Sequence, residues 1–257
     1  MVRRHFYIPL VIGLLLSFGA KAQLLPTYGE ERAGLSAFTF LKLPIDPAST
    51  GVGGASLAMT DHSFGALINP ALISGGNQQG VFSANRALGG GINHDFVALT
   101  KARENGQHIA LTLNSLSTGS ILERTVWQPE GTGATTSAAL TCVGLGVSQA
   151  FSEYFHAGVQ LKYGLEQLGV YRAHNVYLDL GFLYKLDIAD LQFAAALTNF
   201  GPNTPLSNMP VGQESALAAT PQMFSMGIQW TAWKKGDHSL TPSLQLNHPT
   251  DNAEFYA

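Results

Sequence analysis

The stretch FHAGVQLKYGLEQL, Phe155 to Leu168, alternates between apolar residues and polar or small ones. Successive side chains of a strand point to opposite faces, so Phe155, Ala157, Val159, Leu161, Tyr163 and Leu165 share one face. His156, Gly158, Gln160, Lys162, Gly164 and Glu166 share the other. A helix would scatter both sets around its circumference, so this is a strand with two chemically different faces. NVYLDLGFLYKL repeats the pattern, setting Val176, Leu178, Leu180, Phe182 and Tyr184 against Asn175, Tyr177, Asp179, Gly181 and Lys185. HIALTLN, FSMGIQW and SLTPSLQLN read the same way. From about residue 79 onward the pattern predicts nine strands of about 8 to 15 residues, with a tenth beginning at Glu254.

Period 2 fits a soluble sandwich as well as a membrane barrel. Two features favour the barrel. The polar faces carry glycine, serine, asparagine and glutamine with few charges, which suits a barrel interior better than a water-facing sheet. Connections also alternate in length. Residues 103–106, 152–154, 187–190 and 234–237 read as tight turns, 117–136 and 201–221 as long loops, and GVYRAH and HPTDN as medium connections. That order is expected of an up-and-down outer-membrane barrel with short turns at one end. Aromatics near strand ends, such as Phe151, Tyr154, Tyr171 and Trp233, agree with interfacial girdles.

Bulk composition points the same way. Only 12% of the 257 residues are charged, against 46% hydrophobic, with 28 glycines and a net charge of −3. No basic surface argues for nucleic acid. One cysteine, Cys142, leaves no intrachain disulfide; it falls opposite Val143, Leu145 and Val147 and reads as a small inward residue. The first 22 residues carry two arginines, an apolar run and Ala20-Lys21-Ala22 before Gln23, the form of a secretory leader cut after Ala22. The expected destination is a bacterial outer membrane, and the expected division is a leader over 1–22, an N-terminal segment over 23–78 and strands over 79–257.

The N-terminal segment contains GVGGASLAMTDHSFGALINPALIS, residues 51–74. Gly51, Gly53 and Gly54 are a weak phosphate-loop signal, since no strand precedes them and no βαβ unit follows. Together with Phe40-Leu41-Lys42-Leu43-Pro44, the stretch resembles the N-terminal signature of the PorV/PorQ family of Bacteroidetes outer-membrane proteins, within the wider FadL-like barrels. Asp61 stands at that signature's acidic turn, and Asn69-Pro70-Ala71 is its Asn-Pro-Ala triplet. Asp179 with Gly181, Asn199-Phe200-Gly201 and Pro221 continue the resemblance in order over residues 34–257. It implies an all-β, antiparallel transmembrane barrel of about 14 strands, with a small N-terminal hatch inside. Gly51, Gly53, Gly54, Ala55 and Ala58 are expected to let the hatch pack closely on the inner wall. Asp61 should favour a turn, Pro70 should begin or kink a short helix, and Asn69 should bond local backbone. The family continues with further strands where this chain reaches Glu254-Phe255-Tyr256-Ala257, so a fragment is expected.

The resemblance implies a non-enzymatic accessory or shuttle component of type IX protein secretion. Its partners would be outer-membrane lipid, the secretion machinery and cargo with a C-terminal secretion domain, reached through loops 117–136 and 201–221. The alternative is a FadL-like channel for hydrophobic small molecules, with the hatch as a gate. No cofactor or metal is called for. The eight histidines show no metal spacing, no G-x-S-x-G elbow occurs, and Ser152 with His156 or Ser120 with His174 are only nominal hydrolase pairs. Lys162, Glu166, Asp179 and Lys185 share the inward register on adjoining strands. They read as a charge ladder in a polar interior before they read as a substrate filter.

Overall fold

The computed structural model describes residues 36–59, 64–75, 80–86, 91–103, 105–207, 217–249 and 254–256. The expected leader and Asp61 lie outside the described residues. The sheet strands are β1 (Gly80–Arg86), β2 (Asn93–Ala102), β3 (Gln107–Ser117), β4 (Ala138–Ala150), β5 (Phe155–Leu168), β6 (Tyr171–Leu186), β7 (Leu191–Phe200), β8 (Met223–Gln229), β9 (Ser243–Pro249) and β10 (Glu254–Tyr256). Each pairs antiparallel with the next in chain order, forming one ten-stranded meander. The chain is therefore mostly antiparallel β, with the tenth strand at Glu254 as the pattern required. Among the described residues, β1 and β10 each have a single partner, so the sheet has two edges. Among the described residues, closure into a barrel is not seen.

The connections depart from expectation in three places. His248 and Pro249 of HPTDN lie inside β9, and the 234–237 turn closes a separate hairpin, Trp233–Lys235 with His238–Leu240, within the connection from β8 to β9. The GVYRAH connection is no medium loop: β5 and β6 are joined by Gly169 and Val170 alone, and Tyr171-Arg172-Ala173-His174 lies inside β6. Gly169 takes φ 59°, the left-handed backbone that lets two residues close a hairpin. Strands of 14 and 16 residues result.

The burial of the two faces is inverted relative to a soluble sheet. Leu99, Leu111, Leu145, Leu161 and Leu178 stand opposite one another across five successive strands, a leucine row in exact register. The first four are each about half exposed, from 49% to 56%. Phe193, Phe224 and Leu244 continue the exposed apolar face over β7, β8 and β9. Thr112, Asn114, Ser148, Gln160, Asp179, Ser225 and Asn247 on the opposite face are buried.

The polar face is buried because the N-terminal segment lies on it. This segment forms a 3-10 turn (Thr39–Lys42), helix α1 (Pro47–Gly51), helix α2 (Gly65–Ile68) and a second 3-10 turn (Pro70–Gly75). Asp46 caps α1, accepting the Ala48 and Ser49 backbone N–H groups at 3.1 and 2.8 Å, with Pro47 at the first helical position. Four apolar contacts hold the segment down, one of them Ala66 and Ile73 against Ala110. Phe38 and Phe40 pack with Leu140, Cys142, Ala173 and Tyr177; Leu57, Ala58 and Leu72 with Leu183, Ala194 and Ala196; Ile45 and Phe64 with Phe96 and Ala98.

Candidate functional site

Where the segment meets the sheet, a wall glycine faces each of its main contact residues. A Cβ on Gly158 would stand 2.4 Å from the carbonyl carbon of Pro70, one on Gly181 would overlap the Asn69 side chain, and one on Gly164 would stand 2.7 Å from the Phe38 ring. Gly146 and Gly227 make the same room for Ile73 and Leu57. Close approach without a Cβ is what glycine uniquely permits inside a strand. The expected location of this device is therefore reversed. Gly51 and Gly53 are exposed, and nothing lies within 4 Å of a Cβ built on Gly51. Gly53 and Gly54, at φ 66° and 87°, turn the chain after α1 instead of packing on the wall. Ala55 and Ala58 are buried as expected.

The Asn-Pro-Ala triplet is the anchor. Asn69 is fully buried; its side-chain amide donates to the carbonyls of Leu57 (3.4 Å) and of Phe182 on β6 (3.3 Å), and its Oδ1 accepts the Ala71 N–H at 3.0 Å. One side chain thus ties two parts of the segment to the sheet. Pro70 opens the 3-10 turn, whose Ala71 is likewise fully buried.

The four inward charges do not form a ladder. Lys162 and Asp179 make an ion pair at 2.6 Å, the lysine 12% and the aspartate 2% exposed. Asn199 completes it, accepting from Lys162 Nζ at 2.5 Å and donating its own N–H to Asp179 Oδ1 at 2.7 Å. A bulge makes this possible: the register steps from Leu178↔Phe200 to Leu180↔Leu197, leaving an extra residue on β7 opposite Asp179. Asn199 takes φ 57°, a left-handed conformation that asparagine tolerates well. Glu166 serves a different purpose, since its Oε2 accepts the Phe38 N–H at 2.6 Å and so fixes the entry of the segment. Lys185 sits six residues from Asp179 along β6, about 20 Å at strand rise, near the 187–190 turn.

The nominal serine–histidine pairs are not formed. Ser152 Oγ accepts the Tyr154 and Phe155 N–H groups. His156 Nδ1 meets Ser74 Oγ at 2.9 Å, while its Nε2 has no partner to orient it as a base. His174 is exposed on the outward face, near the Tyr163 ring. At the turn end, the exposed Tyr154 hydroxyl donates to Asp187 at 3.0 Å, and that carboxylate raises the phenol's pKa above its usual value.

A pocket of about 370 Å³ remains between segment and wall. Its lining includes the apolar Ile45, Leu57, Leu67 and Phe96 and the polar Asn114, Gln160, Lys162, Asn199, Ser225 and Asn247. Gln160 reaches past Gly144 to donate to Thr112 at 2.7 Å, where a Cβ on Gly144 would block it.

The two long loops differ. The described part of 201–221 folds inward: Thr204 and Thr220 are buried, Asn175 donates to Pro202 and Thr204 at 2.7 Å, and Ala219 accepts the Ala37 N–H. Loop 117–136 instead carries a short hairpin, Ile121–Leu122 with Thr135–Thr136, whose Val126 and Trp127 are each 91% exposed. No protein-family model matches the chain, and a search of curated proteins finds no similar sequence.

Proposed function

We propose that this chain forms the wall of an outer-membrane β-barrel with an internal N-terminal hatch, of the PorV/PorQ type, serving type IX secretion as an accessory or shuttle. The observation that carries the membrane part is the inverted sheet. An in-register leucine row faces outward and exposed, while Gln160, Asp179 and their polar neighbours are buried. Exposed apolar surface this continuous marks a lipid or partner contact, and a lipid-facing strand alternates apolar-out, polar-in. Strands of 14 and 16 residues exceed the 9–11 or so needed to cross a bilayer at a tilt.

The secretion part rests on the resemblance in residues 34–257, supported by contacts between its separated motifs. Asp179 and Asn199 share one ion-pair cluster, and Asn69 and Pro70 seat against Gly181 and Gly158. With the described part of loop 201–221 tied inward, loop 117–136 is, among the described residues, the exposed loop offered to cargo or machinery, with Trp127 as its anchor. The test is the extracellular protein profile of the native host with and without this gene. Loss of proteins bearing C-terminal secretion domains from the medium supports the role, and Trp127→Ala should reproduce part of that loss with normal protein levels. Unchanged secretion refutes it. The pocket favours a second reading, a channel for small molecules with the hatch as gate.

A further inference from the structure

The geometry points to the pocket between hatch and wall as a binding site for an uncharged amphiphile, one with a short apolar body and a neutral head that both donates and accepts hydrogen bonds. The inference deepens the channel reading and is independent of the secretion role. Its volume of about 370 Å³ lies within the range of small-molecule sites.

The pocket lining sets the ligand's chemistry. Ile45, Leu67 and Phe96 share one apolar cluster and would take an apolar body. In the same lining, Asn114, beside Phe96 on the wall, uses its Oδ1 on His94, and Gln160 uses its Nε2 on Thr112. Among the described residues no partner is seen for the Asn114 amide nitrogen, the Gln160 carbonyl oxygen or the Ser225 hydroxyl, and all three residues line the pocket. A donor and an acceptor within one cluster suit an amide, an alcohol or a glycoside.

Charge sets the head group. The lining cations are Lys42 and Lys162, and Lys162 is already engaged by Asp179 and Asn199. Lys42 has an interaction of its own. Asp46, the lining carboxylate, is engaged by the start of α1 and by Ser49 Oγ. An entering carboxylate would find no uncommitted cation among the described lining residues, and an ammonium no uncommitted anion. Desolvating an ion without a partner is costly, so the site selects neutral heads over charged ones of equal length.

The test compares octanamide, octanoate and octylammonium, matched in chain and differing in charge. Equilibrium dialysis of each labelled probe against the full chain in lipid nanodiscs, with empty nanodiscs subtracted, gives the affinity. Octanamide is expected to bind saturably and at least about tenfold tighter than either ion. Ser225→Phe, which fills space from the wall, and Thr50→Trp, which obstructs the pocket from the exposed hatch, should each abolish saturable binding. Two obstructions on different elements keep the test valid if one of them fails to fold. Absence of saturable octanamide binding overturns the proposal, as does octanoate binding equally well, or binding that survives both substitutions. Any of these leaves the secretion assay unaffected, so the two readings fail separately.

Discussion

Substituting Gly158 by alanine tests the seating of the hatch with a single methyl group. The new Cβ would stand 2.4 Å from both the carbonyl carbon and oxygen of Pro70 and 2.8 Å from the Ala71 nitrogen. All three are backbone atoms of a turn that proline has stiffened, so no rotamer change relieves the clash. Restoring ordinary van der Waals contact requires the turn to lift by about 1 Å, which also stretches the Asn69 bonds to Leu57 and Phe182, already 3.4 and 3.3 Å long. Overpacking of this kind costs about 1–3 kcal/mol, and rigid backbone on one side places this case near 3. At about 1.4 kcal/mol per tenfold, the undocked population rises roughly a hundredfold. Limited proteolysis within residues 49–74 reads that population directly when opening is fast relative to cleavage. Gly158→Ala should therefore be cut about a hundredfold faster in this segment, with the strands still protected. Gly51→Ala, with nothing within 4 Å, should match the wild type. Equal cleavage of Gly158→Ala and wild type would refute the close-packed hatch.

Other consequences follow from the buried contacts. Lys162→Met strands Asp179 without its cation and should destabilise by about 3–5 kcal/mol in denaturant unfolding, while adding Asp179→Asn should recover much of the loss. Phe38→Ala empties the space against Gly164 and Tyr177, at a cost of about 3–5 kcal/mol, and should raise proteolysis first near residue 38. Glu166→Gln keeps an acceptor for the Phe38 N–H but loses its charge, so it should cost about 1 kcal/mol in the same unfolding assay.

The strands were legible because their information is local. Alternation in Phe155–Leu168 assigns every residue of β5 to a face without reference to any other strand. Register then follows from the turns, which is why Leu99, Leu111, Leu145, Leu161 and Leu178 align. The Asn69 bond to the Ala71 N–H and the opening of the 3-10 turn by Pro70 were also readable, since both depend on nearest neighbours; the Asn69 bonds to Leu57 and Phe182 were not. What the sequence hid was long-range pairing. Glycines in Gly51-Val52-Gly53-Gly54 suggested close packing, yet the residues needing room are in the hatch and the glycines that provide it are Gly146, Gly158, Gly164, Gly181 and Gly227 on the wall. All five fall in the inward register, a signal present in the alternation. Glu166 looked like one rung of a charge ladder because a strand pattern gives the face of a side chain but not the chain that will cover it. The hairpin between β5 and β6 is hidden in GVYRAH because one left-handed glycine, Gly169, is enough to close it.

A barrel wall requires the leucine-bearing face to meet lipid. Spin labels placed one at a time from Val159 to Leu165, with the buried Cys142 replaced by serine and the protein in liposomes, measure it by collision with oxygen and with a water-soluble nickel reagent. The expected result is a period of two: Val159, Leu161, Tyr163 and Leu165 accessible to oxygen and shielded from nickel, and Gln160, Lys162 and Gly164 accessible to neither. If the leucine positions collide freely with nickel, or are shielded from both reagents, the face lies against water or another protein layer, and the barrel-wall account is wrong.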